Sequence, residues 1–117
     1  MTAPNIVNVA TITGKTAVQA VGTSATAIVT NSASSNKVFK VNTLLISNVD
    51  GANNAEITVD FFRSSTAYHL VKTVVVPADA TLDVLSKPIY LEEGDALRLT
   101  ANTASDLEAI CSYEEIS

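Results

Sequence analysis

The sequence predicts an all-β protein: a single antiparallel β-sandwich, jelly-roll or immunoglobulin-like, of about eight short strands with an extended N-terminal segment. Three observations lead there. From residue 37 onward apolar and polar side chains alternate with a period of two, the signature of strands with one wet and one dry face. Turn-forming clusters rich in Asn, Asp, Gly and Ser separate the alternating runs at short, regular intervals. Helical spacing of apolar residues is absent throughout.

The first 35 residues, MTAPNIVNVATITGKTAVQAVGTSATAIVTNSASS, carry one charge, Lys15, whereas all 12 acidic residues and the other six basic ones follow it. Thr and Val favour extended backbone, but no aromatic side chain is present to anchor a core. The segment therefore reads either as an arm laid against another chain, with NIVNVATI as the pairing strand, or as the first strands of the same sandwich. TNSASSN at 30–36 is a loop rather than a domain linker, because what precedes it is too poor in large side chains to fold alone. The organisation expected is residues 1–35 as arm or first strands and residues 36–117 as the sandwich domain.

Within 36–117, VFKVNTLLISNV shifts phase between Val41 and Leu44, which calls for a bulge or a bend. NVDGANN at 48–54 turns the chain. In AEITVDFFR, Ile57, Val59 and Phe61 share a face opposite Thr58 and Asp60. RSST at 63–66 turns it again. AYHLVKTVVV is closed by Pro77, and ATLDVL adds a further strand. EEGD at 92–95 is expected to be a hairpin turn in front of DALRLTA, where Leu97 and Leu99 oppose Arg98 and Thr100. After NTASD at 102–106, DLEAICSYEE sets Leu107, Ala109, Cys111 and Tyr113 against Glu108, Ser112 and Glu114. Leu97, Leu99, Ala109 and Cys111 are thus expected in the core.

Composition narrows the function classes. A chain of 117 residues suits one domain, burying about 65% of the surface its unfolded form exposes. Apolar residues are 47% and charged ones 16%, so a folded domain is expected. No apolar run approaches the ~20 residues of a helical membrane span. No basic stretch precedes an apolar one at the N-terminus, so no secretory signal is expected, and a single Cys111 leaves no internal disulfide. A net charge of -5 with scattered Lys and Arg disfavours nucleic acid and anionic membranes as partners.

The densest acidic cluster, Glu92, Glu93 and Asp95 around Gly94, is the stretch that most resembles chemistry. A calcium site needs about six to eight oxygens from several segments, and Asp50, Asn53, Asn54 and Glu56 in NVDGANNAE are the one candidate second half. Neither stretch has EF-hand spacing. Carboxylate pairs for glycoside hydrolysis normally lie beside aromatic sugar platforms, and the chain has no Trp. The turn reading places these carboxylates in water, so Glu92→Gln with Asp95→Asn is expected to leave folding nearly unchanged. His69 is the only histidine and no strained nucleophile turn surrounds any Ser. Cys111, on a dry face, reads as an inert buried thiol. One Cys and one His cannot make a zinc set, and the four glycines are too dispersed for a phosphate loop. No catalytic, cofactor-binding or metal residue is assigned, and an enzyme is not expected.

Four motifs carry a resemblance. NTLLISNVDG ends a strand in an SNVDG-type turn, VPADATL opens the next, KPIYLEEGDAL makes the acidic turn, and SYEEIS closes the chain. Together, over about residues 42–117, they resemble small virion structural proteins of tailed bacteriophages, many of them marine. The resemblance implies a non-enzymatic virion protein, most simply a capsid decoration or cement protein that forms homo-oligomers and binds other virion proteins, the major capsid protein or tail and neck proteins. The alternatives are a neck, tail or baseplate component and, in another class, a carbohydrate-binding module of a fibre, which the shortage of aromatic residues disfavours.

Overall fold

The computed structural model describes residues 10–117. Its strands are β1 (Ile12–Ala20), β2 (Thr26–Thr30), β3 (Val38–Asn48), β4 (Ala55–Arg63), β5 (Thr66–Val76), β6 (Thr81–Asp83), β7 (Ile89–Leu91), β8 (Ala96–Ala101) and β9 (Leu107–Ile116). One sheet has the order β1-β9-β3-β6, with β7 also on β3, and the other has the order β2-β8-β4-β5. All pairings are antiparallel.

Both β6 and β7 pair with β3, one at Leu45–Ser47 and the other at Phe39–Val41. They form one strand interrupted at residues 84–88, where Pro88 withholds a backbone donor and Leu85 drops into the core. Counted as one, they leave eight strands in two four-stranded sheets. The chain alternates between sheets at β1, β2, β3 and again at β7, β8, β9, which is the jelly-roll arrangement. Immunoglobulin-like topology, the other expected form, does not interleave first and last strands in this way.

The inward faces are those that the alternation predicts. Ile57, Val59, Leu97, Leu99 and Cys111 are fully buried, and Ala109 and Leu107 nearly so. Together with Val41, Leu44, Ile46 and Leu91 they form one cluster between the sheets. The phase change in β3 is a bulge: its register with β9 slips between Val41 and Thr43. The extra residue reverses the facing, so that Val41 and Leu44, three apart, are both completely buried. Burial also pushes the Cys111 thiol up to about 11. A thiol reagent at pH 8 should therefore label native protein at the rate of global opening, and label it fully in denaturant. Labelling of native Cys111 at the rate of a free peptide thiol would show that this face is turned outward.

Of residues 1–35, expected as an arm or as first strands, Ile12–Ala20 and Thr26–Thr30 are strands of the sandwich. β1 pairs with β9 along its whole length, and β2 pairs with β8. The small, β-prone side chains suffice because β9 and β8 supply the apolar bulk beneath them. The structure shows no break at residues 35 and 36: Asn31 is buried, and the loop it begins leads straight into β3. Residues 5–9 of the NIVNVATI stretch lie outside the described residues.

Candidate functional site

The acidic turn is not a hairpin. It leaves β7 in one sheet and enters β8 in the other, so it is an arch across the rim of the sandwich. Gly94 has φ +89, a backbone state that costs glycine little, and no atom lies within 4 Å of where a Cβ would stand. Conformation rather than space therefore requires glycine. The arch is stitched to the end of β2: Gly94 N–H donates to the Asn31 carbonyl at 2.8 Å, and Asn31 N–H donates to the Asp95 carbonyl at 2.9 Å.

Asp95 is 2% exposed, which corrects the expectation that these carboxylates face water. Its Oδ2 accepts the Glu92 N–H at 2.8 Å, and its two oxygens accept a forked pair from Arg63, Nε to Oδ1 at 2.8 Å and Nη2 to Oδ2. Arg63 Nη2 also reaches Glu92 Oε2 at 2.7 Å, and the guanidinium lies 5.0 Å from the Phe61 ring centroid. The hydrogen bond to Asp95, before all other causes, raises the affinity of Arg63 for its proton. Glu93 turns the other way and accepts the Asn36 N–H at 3.0 Å. Carboxylates and guanidinium thus satisfy one another, and the cluster closes the rim rather than presenting free charge. The sequence held a signal for this: Asp95 has the same parity as Leu97 and Leu99, so the alternation carries it onto the dry face.

Two buried asparagines anchor opposite rims. Asn31 Nδ2 donates to the Lys37 and Leu91 carbonyls at 2.9 and 3.0 Å, while its Oδ1 accepts from Ser35 Oγ. Asn48 Nδ2 donates to the Asn53 and Val76 carbonyls, both at 2.9 Å, and its Oδ1 accepts the Asp50 N–H. Asp50 then takes the Ala52 and Asn53 N–H groups, and these bonds, that of Ala52 first, hold its carboxyl below the usual range. β3 starts beside the EEGD rim, pairing Phe39 with Leu91, and ends at Asn48. Its 11 residues separate the two acidic loops by roughly 33 Å at the rise of an extended strand. The loops cannot share an ion, and among the described residues no three His, Cys, Asp or Glu side chains gather into a possible metal shell.

On the outer face of the second sheet, Asp60 is 3% exposed although its parity is that of the wet side. Arg98 from β8 lies across it, with Nε 2.8 Å from Oδ1 and the guanidinium 3.9 Å from the Phe62 ring centroid. His69 stands opposite Asp60 in the register and is exposed. Among the described residues no hydrogen bond joins it to a serine or a carboxylate.

At the end of β9, Glu115 accepts Lys15 Nζ at 3.0 Å and Lys37 Nζ at 3.1 Å. The Lys15 bond, ahead of that from Lys37, lowers the Glu115 pKa. A depressed folded value means that the stabilisation is present above the unfolded carboxylate range and disappears as pH falls through the folded value. With both lysines more than 40% exposed, it amounts to about 1 kcal/mol or less. Glu115→Gln should therefore melt slightly below the parent protein at pH 7, and the two curves should converge as pH falls through the lowered Glu115 value.

A further surface feature is apolar. Val18 is 74% and Ile110 46% exposed, and they are register partners on the outer face of the first sheet, with Leu45 next in the row. Val18 and Ile110, with Gln19, Ala20, Ser47, Glu108 and Ala109, line a shallow groove of about 360 Å³.

No family model matches the chain, and no curated protein does. Among solved structures, the chain is similar to a protein of Bacillus endospore appendages, described as a novel family of disulfide-linked pili, with 14% identity over 92% of this chain and 88% of that one and a TM-score of 0.52. It is also similar to two structures of a pentameric capsid protein isolated from metagenomic phage sequences. Identities are 20% and 18% over 86% of this chain, with TM-scores of 0.45 and 0.43. The chain spans 62% and 60% of the length of those capsid proteins. What the likeness to the appendage protein establishes at this identity is the two-sheet fold.

Proposed function

We propose that this chain is a structural protein of a tailed-bacteriophage virion, a decoration or cement protein that forms homo-oligomers and attaches to the capsid. The observation that carries the reading is the succession of four motifs over residues 42–117, which resembles small virion proteins and which this fold uses at its junctions. SNVDG begins the loop that Asn48 and Asp50 hold, VPADATL leads from β5 to β6, KPIYLEEGDAL spans β7 and the Arg63-locked arch, and SYEEIS completes β9. The rest of the chain is consistent with a role in assembly. Among the described residues the ionisable clusters are paired internally, and an apolar row lies exposed beside a sheet edge.

Mass spectrometry of purified particles with copy-number counting tests the proposal. A copy number of the order of the major capsid protein's is expected. A copy number of a few to a few tens would move the chain to the neck, tail or baseplate, and absence from particles would refute a virion role. Specific binding on a glycan array would favour the carbohydrate-binding alternative.

A further inference from the structure

We infer that the free edge of β1 is a self-association seam, at which a second copy of this chain adds its own β1 in antiparallel register about a two-fold axis at Thr16. This deepens the homo-oligomer reading above by naming its surface.

A sheet edge invites pairing unless it is short, bulged, charged or covered. Three of the four edges here are blunted. β6 and β7 are three residues each. β2 is five residues with a register shift between Ala27 and Val29. β5 shifts register twice, has Thr73 at φ 48, and presents the exposed Lys72 and His69. Among the described residues β1 has none of these devices. Its nine residues run against β9 without a shift, it contains no proline, and its one charged side chain, Lys15, is engaged by Glu115. Ile12 and Val18 on this strand are 56% and 74% exposed.

The backbone phase follows from the hydrogen bonds. Thr11 and Ser117 exchange both of theirs, at 3.0 and 2.9 Å. The unbroken register then directs the odd-numbered residues of β1 toward β9. Ile12, Gly14, Thr16, Val18 and Ala20 consequently aim their N–H and C=O groups away from the sheet. No other described strand lies on that side.

The sequence of β1 is complementary to itself in this phase. With Thr16 on the axis, Ile12 faces Ala20 and Gly14 faces Val18, so each large outer side chain meets a small one. Lys15 faces Ala17 rather than another lysine. All five outward residues of each strand then fall in hydrogen-bonded positions. An axis moved one residue keeps outward groups facing outward groups, but at Lys15 it juxtaposes two ammonium groups, and at Ala17 it sets Ile12 opposite Gly22, beyond the end of the strand. The seam lies in the charge-poor N-terminal third, so two chains of net charge -5 meet where neither carries an acidic residue. It also joins the two first sheets into a single eight-stranded sheet.

Thr16 supplies the test, because its N–H points away from β9 and no other described strand takes it. Thr16→Lys sets like charges at the axis, and Thr16→Pro removes an outward donor at an edge position that tolerates proline. In sedimentation velocity of the full chain, two-copy mass is expected for the parent protein. Both variants should show one-copy mass, or a dissociation constant raised at least about tenfold, with an unchanged cooperative melt. Should Thr16→Pro unfold, Thr16→Lys decides alone. Hydrogen-bonded antiparallel partners lie about 5.5 Å apart at Cα, within disulfide reach, so oxidised Thr16→Cys should form a covalent dimer and Thr66→Cys on β5 should not. A parent protein monomeric at 10-fold above the concentration of the cross-linking assay, variants that keep the parent mass, or a dimer lost only on removing residues 1–9 would each overturn the inference. Particle mass spectrometry is independent of these outcomes, so the seam and the virion reading can fail separately.

Discussion

Leu99→Ala should lower the unfolding free energy by about 2–5 kcal/mol, among the largest effects of any apolar truncation in this chain. Leu99 is fully buried in β8, a strand flanked on both sides within its sheet, with Thr26 of β2 and Val59 of β4 as register partners. Ile57, Val59 and Leu97, likewise fully buried, surround it on the same inner face. The strands on either side are tied into their ladders and cannot collapse into the void, so a cavity term adds to the lost transfer energy. For a domain of this size the change corresponds to a fall in Tm of roughly 10–20 °C. Leu82→Ala is the comparison, because Leu82 is only partly buried in the short β6 and should cost about 1–2 kcal/mol. Urea titrations of the two variants with unchanged m-values would measure this. A Leu99→Ala cost no larger than that of Leu82→Ala would mean that the sandwich core is not centred on β8.

Much of this fold is legible in the sequence because half-buried strands write their facing into the alternation of side chains. Ile57, Val59, Leu97, Leu99, Ala109 and Cys111 are readable for that reason, and so is the bulge, since an inserted residue must put Val41 and Leu44 on one face. The pairing partners are not readable in the same way. Which sheet receives a strand is decided by contacts between residues as distant as Ile12 and Ile116 or Asn31 and Leu91, and local pattern contains nothing about them. The EEGD stretch shows the consequence. Its glycine and carboxylates look the same for a hairpin and for an arch between sheets, and the difference lies in Arg63, 32 residues away from Asp95. Asp60 is misleading for a related reason: outer-face parity implies water, but Arg98 on the neighbouring strand covers it. In the N-terminal third the ambiguity between arm and strand is physical, because small β-prone side chains suit any edge, and only the availability of β9 and β8 in the same chain makes residues 12–30 part of the sandwich.

Asp95→Ala should cost about 2–4 kcal/mol, because it removes a buried carboxylate that organises both sides of the arch. The Glu92 N–H bond and the backbone bonds of Asn31 with Gly94 and Asp95 close the loop, and the Arg63 fork attaches it to the end of β4. Arg63→Met acts on the same pair from the other side and leaves the carboxylate without its cation. Since the Arg63 side chain is 45% exposed, water replaces part of what is lost, and the cost should fall at the lower end, about 2 kcal/mol. Asp95→Asn keeps the shape and one acceptor but turns an amide toward the guanidinium, so it should lie between the parent protein and Asp95→Ala. Glu92 is 67% exposed, and Glu92→Gln should change stability by no more than about 0.5 kcal/mol. The decisive measurement is a double-mutant cycle on Arg63→Met and Asp95→Asn by denaturant unfolding at pH 7. A coupling of at least about 1 kcal/mol is expected for two groups that share a fork of hydrogen bonds. Additive effects would mean that the arch is held by Asn31 and the backbone alone, with Arg63 no more than a surface cation resting on it. The coupling should also persist in 1 M salt, where exposed ion pairs are screened but a forked bond to a carboxylate only 2% exposed is not.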